Sequence, residues 1–188
     1  MKNWLMRRRV GMAFLLAPGV IVLAHPCHWV FIGAGGVLVG AGLFLRSWAA
    51  GYIHKDRSLS MDGPYALCRH PLYLGSAILT GGILLVFSCP VRPWSTAILW
   101  LLFIIYFSSV YRWTVVAEEE KMARLIPNEW AGYVSRIPCF WPSRFFPLPE
   151  IHGAFSLEQW LHNREYNAIL GALAVLGVMI KLKNSGFF

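Results

Sequence analysis

No Asp, Glu, Lys or Arg stands between Arg9 and Arg46, between Arg69 and Arg92, or between Arg92 and Arg112. A water-soluble chain spreads its charges. Runs this long without one suit a bilayer, where charge is excluded and the backbone must satisfy its own hydrogen bonds as helix. With 57% hydrophobic and 14% charged residues and a positive mean hydropathy, the expectation is an all-α integral membrane protein. It is a single membrane domain over residues 1–188.

The apolar runs predict about five transmembrane helices, at roughly 10–25, 29–45, 72–88, 94–116 and 168–180. The first could open a secretory signal, but no small-residue cleavage site is clear and a second apolar run follows at once, so it reads as retained. The last is short for a hydrocarbon core of about 30 Å and either starts earlier or is re-entrant. Residues 1–45 then form a two-helix hairpin, 46–142 a core, and 143–188 a proline-rich strap and tail helix. Between the fourth and fifth runs, Met122, Leu125 and Ile126 oppose Glu118, Glu119 and Lys121. Pro127 ends that helix, and Asn128 caps a second turn bearing Trp130, Tyr133 and Val134. This reads as an amphipathic helical hairpin on the membrane surface.

The second run is glycine-rich. Gly36, Gly40 and the Gly33/Ala41 neighbourhood make a small-xxx-small face, a packing device in lipid. Lys and Arg set the orientation. With the N-terminus inside, residues 1–9, the 46–69 loop and the 112–164 region hold every basic residue except Arg92, Lys181 and Lys183, which is the positive-inside asymmetry. The net charge of +8 is thereby accounted for without nucleic acid, whose recognition would need one basic soluble face. The four cysteines, Cys27, Cys68, Cys89 and Cys139, form no CxxC pair and no metal-ligand spacing, so no metal is expected. His25-Pro26-Cys27-His28 reads as a polar turn. Cys27 and Cys89 share one side of the membrane, which permits a disulfide between them without favouring one.

One stretch carries more chemistry, Asp62-Gly63-Pro64-Tyr65-Ala66-Leu67-Cys68-Arg69-His70-Pro71-Leu72-Tyr73-Leu74-Gly75. Asp62-Gly63-Pro64 is turn chemistry. Pro71 suits the first position of a helix, leaving the amides of Leu72 and Tyr73 at its positive end beside Arg69 and His70. Taken singly, Arg69 is a positive-inside anchor, His70 a cap, and Glu118-Glu119-Glu120 a solvated helix start. Their order along the chain and shared membrane face set them apart.

Gly63-Pro64-Tyr65, Arg69-His70-Pro71-Leu72-Tyr73, the Glu118-Glu119 pair and the aromatic Glu129-Trp130…Tyr133…Pro138 segment, in that order, resemble the isoprenylcysteine carboxyl methyltransferase and phospholipid methyltransferase superfamily. The resemblance covers roughly residues 46–142. It implies S-adenosylmethionine as methyl donor, with Tyr65, Arg69, His70, Pro71, Leu72, Tyr73 and Glu119 around the cofactor and Arg112, Glu118 and Glu119 as catalytic residues. It implies carboxyl methylation of an isoprenylcysteine-like acceptor, with phospholipid N-methylation as the alternative. Its partners are a lipophilic or lipidated acceptor and membrane lipids, with the site facing the cytosol at a bacterial inner membrane. The sequence departs from the family pattern at Thr114 and Cys139, each standing where an Arg is usual. Two other classes remain: a non-catalytic scaffold on the same frame, and a transporter, disfavoured because the spans hold almost no ionisable residues.

Overall fold

A computed structural model describes residues 23–53, 59–141 and 153–184. All regular structure among them is helical. Helix α1 spans Trp29–Ala50, α2 Pro71–Val86, α3 Pro93–Leu125, α4 Pro127–Arg136, α5 Leu157–His162 and α6 Tyr166–Asn184, with a 3-10 turn at Gly63–Ala66 before α2. Helices α1 and α3 are long and apolar enough to cross a membrane; α2 and α6 contain shorter apolar segments. Five crossings are therefore not established. The expected first span falls almost wholly outside the described residues, as does most of the proline-rich strap.

The antiparallel pair α1–α2 is the packed centre, and glycine sets its spacing. A Cβ on Gly35 would lie 2.6 Å from the Gly82 carbonyl oxygen, and one on Gly42 2.7 Å from that of Gly75. The reverse contacts, Gly82 to Gly35 and Gly75 to Gly42, are 2.8 and 3.0 Å. Backbone thus touches backbone at two levels, the use of small residues that lipid favours. The expected Gly33–Gly36–Gly40 face is a different one: a Cβ at any of the three would meet nothing within 4 Å. A run with glycine on several faces does not announce which face its neighbour takes.

Helix α3 runs unbroken for 33 residues, about 50 Å at about 1.5 Å per residue. That exceeds a hydrocarbon core of about 30 Å, so its charged last turns stand clear of the apolar segment. No break occurs at Val116, where the apolar run was expected to end. The chain turns at Ile126, and Pro127 opens α4 from its first position. Asn128 is therefore inside α4 and does not cap it.

The two ends of the pair are tied differently. At one, Cys27 and Cys89 form a disulfide between the turn before α1 and the turn after α2, the pairing that the sequence permitted but did not favour. Beside it, the His25 amide donates to the Phe87 carbonyl, Arg92 bonds the His25 ring at 2.7 Å, and the Lys183 ammonium sits 3.8 Å over the Trp29 ring. At the other end, Arg46 of α1 reaches Glu165 just before α6 at 2.8 Å and also donates to Ser76 of α2. Asn163 donates to the Ala50 carbonyl at 2.8 Å. The polar connection expected from Arg46 thus begins as helix, and α1 carries its Arg46 as a structural clamp.

Candidate functional site

The site lies at the Arg46 end, where the entry of α2, the projecting part of α3 and the segment after α4 meet. Gly63 takes φ +58°, the left-handed region that glycine enters without cost. The Tyr52 ring lies where its Cβ would be. The turn that follows is buried at Tyr65, whose carbonyl accepts the Tyr133 hydroxyl at 2.7 Å. The Arg69 amide donates to the Pro138 carbonyl at 2.9 Å. Two bonds therefore stitch α4 and its exit to the chain entering α2.

Pro71 opens α2, with His70 at the cap position. The helix-end amides are less free than the motif suggests: Tyr73 N–H donates back to the His70 carbonyl at 3.1 Å. The His70 side chain, only 8% exposed, faces α3. Its Nε2 lies 3.1 Å from Glu119 Oε1 and its Nδ1 3.9 Å from Glu118 Oε2, an electrostatic contact rather than a hydrogen bond. Tyr73 donates its hydroxyl to Glu118 and thereby orients it. Glu119 Oε1 also receives Arg69 Nη1 at 3.1 Å and the Cys139 thiol at 3.8 Å. Aromatic rings close the rim, with Phe140 5.9 Å from the imidazole and Tyr111 edge-on to Tyr73 at 4.9 Å.

The structure thus brings together Arg69, His70, Tyr73, Glu118 and Glu119. Pro71 is buried at the helix start and Leu72 half-buried beside it. Tyr65 is buried. Arg112 takes no part in the polar contacts of the cluster; it is exposed in a surface depression with Ser108, Ser109, Trp113 and Val116. Thr114 is buried.

Cys139 is the residue that sequence reasoning passed over. His70, Glu119 and Cys139 each present one donor atom, all within 4.8 Å of one another. Nitrogen at about 2.1 Å and oxygen at about 2.1 Å from a tetrahedral zinc are roughly 3.4 Å apart, and sulfur at about 2.3 Å lies slightly farther from either. The observed 3.1 Å between His70 and Glu119 and 3.8 Å between Cys139 and Glu119 bracket those edges. Three donors leave a fourth position open, and Glu118 stands behind the second imidazole nitrogen, where a carboxylate fixes the tautomer of a ligating His. Burial holds the His70 pKa below its usual value, against the opposing pull of Glu119 and Glu118, so its ring is neutral at pH 7. Nε2 donates to the Glu119 carboxylate, and a cation there would take the place of that proton, which moves to Nδ1 facing Glu118. Burial and the adjacent Glu119 carboxylate push the Cys139 thiol up; a cation binding there must displace its proton. Cys68 is a poorer donor: it is fully buried and its thiol is pushed up to about 11, chiefly by burial. A metal was not expected from the sequence because the three donors lie 49 and 20 positions apart on separate segments, outside any local spacing rule.

No family model matches the chain. No solved structure matches it either. Over 153 residues it is 33% identical to the cobalt-zinc-cadmium resistance protein CzcN of Cupriavidus metallidurans, a match covering 74% of this chain and 66% of that one. Over 151 residues it is 30% identical to the nickel-cobalt-cadmium resistance protein NccN of Alcaligenes xylosoxydans xylosoxydans, covering 74% and 67%. The chain belongs to the CzcN/NccN family. It spans about two thirds of the length of these relatives. Membership corrects the methyltransferase reading: the CzcN/NccN relatives are named for metal resistance, and no family model supports a carboxyl or phospholipid methyltransferase. The expected enzyme activity and its isoprenylcysteine acceptor fall with it. The arginine, the imidazole and the acidic pair engage one another directly.

Proposed function

We propose that this protein is a membrane component of resistance to divalent transition-metal cations and binds such a cation at His70, Glu119 and Cys139. The observation that carries the reading is the convergence of an imidazole nitrogen, a carboxylate oxygen and a thiol sulfur within 4.8 Å. The metals named for its relatives, cobalt, zinc, cadmium and nickel, include ions for which imidazole and thiolate are suitable donors.

On this reading a hydrated cation exchanges water for three protein donors. His70 gives Nε2 while Glu118, held by Tyr73, faces Nδ1. Glu119 supplies charge. Cys139 forms the metal–sulfur bond and releases its proton to solvent. The cluster faces the cytosol, since it lies at the basic end while the Cys27–Cys89 disulfide occupies the other, and disulfides persist on the oxidising side of a membrane.

Cobalt(II) titration of the detergent-purified protein tests this. A thiolate-to-cobalt charge-transfer band should appear, displaceable by zinc, and Cys139→Ser should abolish it. A wild-type protein that takes up cobalt no better than Cys139→Ser, or whose band survives that substitution, would overturn the site. Loss of metal tolerance in cells carrying Cys139→Ser, at unchanged protein level, ties the site to resistance.

A further inference from the structure

The proposed cation site already contains a cation. Arg69 Nη1 lies 3.1 Å from Glu119 Oε1, the same oxygen that faces His70 Nε2 and the Cys139 thiol. The guanidinium is hemmed in, with its side chain 13% exposed and its Nε buried without a hydrogen-bond partner. On another side its carbon lies 5.9 Å from the centre of the Trp130 ring on α4, a distance at which an aromatic face attracts a guanidinium. Arg69 therefore touches both partners at once, and giving up Glu119 would still leave its charge against the Trp130 ring.

We propose that Arg69 is a built-in counter-cation. It neutralises Glu119 until a divalent ion arrives, gives up that contact to the ion, and turns onto Trp130. The proposal rests on the reading of His70, Glu119 and Cys139 as the cation site and assigns its regulation. Arg69 and the metal ion compete for one carboxylate oxygen and repel each other across it, so the arginine lowers affinity and sets the concentration at which the site fills. A resistance protein gains from such a threshold: trace metal stays with the proteins that need it, and only excess is captured. Trp130 makes the exchange readable, because it is the surface onto which the displaced charge moves.

The test is a cobalt and zinc titration of the full chain in detergent, comparing wild type with Arg69→Gln and Arg69→Lys. Removing the charge should tighten binding by roughly tenfold or more, the scale on which a like charge within about 6 Å acts on a site. Arg69→Lys, which keeps the charge, should stay near wild type. Arg69→Gln binding with equal or lower affinity than a wild type that does bind overturns the counter-cation and leaves the metal site standing. Cobalt uptake by neither protein, with both folded by thermal melt, overturns the metal site itself and the counter-cation with it. Should Arg69→Gln not fold, Trp130→Leu decides: without its second resting place the arginine holds Glu119 harder, and binding weakens severalfold. Unchanged affinity in Trp130→Leu then overturns the proposal.

Discussion

The two ends of the α1–α2 pair solve the same problem, closing a helix bundle, by opposite means. At the Cys27–Cys89 end the closure is covalent, with an arginine–imidazole bond and a lysine over a tryptophan ring around it. At the other end it is made of charges that share partners. Glu119 answers to Arg69, His70 and Cys139 at once, while Arg46 holds Glu165 and Ser76. A covalent bond has one partner and keeps it. A shared carboxylate can change company at little cost, which is what a site that must admit and release an ion requires. The difference teaches where to look for binding: not at the end with the tightest bond, but at the end with more donors than acceptors.

Three changes break or sharpen that contrast. The largest effect comes from the glycine contacts on which both ends depend. Gly42→Leu puts side-chain atoms where the Leu79 amide and the Gly75 carbonyl lie, the latter 2.7 Å from the added Cβ. Backbone cannot yield as a side chain can, so the cost should exceed the roughly 3 kcal/mol of ordinary overpacking. Thermal unfolding in detergent reads it, with Gly36→Leu, which meets open space, as the near-neutral control. Next comes the fixed end. Replacing Cys27 and Cys89 by Ser opens a loop with a sequence separation of 62 and should cost about 2–4 kcal/mol. Cobalt affinity should not move; if it does, the two ends are not independent and the contrast fails.

The smallest effect is in pH. The Cys139 thiol, raised from 9.0, keeps its proton at neutral pH, whereas His70, lowered from 6.5, has already lost its own. Binding therefore releases one proton, from the thiol, and affinity should rise with pH from about 6.5 towards the thiol pKa. The slope should be near tenfold, about 1.4 kcal/mol, per pH unit. Below about 6.5 the slope should stay near one until the depressed His70 pKa is reached, where the imidazole begins to compete as well. Isothermal titration at several pH values checks the sign, and a pH-independent affinity above 6.5 would take Cys139 out of the ligand set.

The helical class and the nearness of Arg69-His70 to Glu118-Glu119 could be read from the chain, because long uncharged runs argue for helices and their order decides which loops share an end; the number of crossings did not follow from them. Pro71 as a helix start followed from its missing amide. Other features were hidden for identifiable reasons. Gly35 and Gly42 pack while Gly36 and Gly40 do not, because composition alone does not choose a face. The disulfide joins two turns that the span order already put on one side, yet sharing a side is far weaker than the Cα separation of 5.4 Å that a bridge needs. Cys139 stood out only as a departure from the pattern the sequence resembles. Its place beside Glu119 depends on the Pro138 carbonyl bonding the Arg69 amide, a long-range contact that no local spacing announces. The activity implied by that pattern was the least legible of all, since one arrangement of Arg, His and Glu serves many chemistries.

That same amide-to-carbonyl bond has a mechanical consequence. It joins the strand of chain bearing the sulfur to the residue beside the imidazole, so nitrogen and sulfur travel as one jaw. The carboxylate rides on the other, the long α3, which is joined to α2 by the short turn at Cys89–Arg92. On the proposed reading, the grip on an ion is set by how far one helix leans from another, and whatever tilts α3 loosens or tightens the bite.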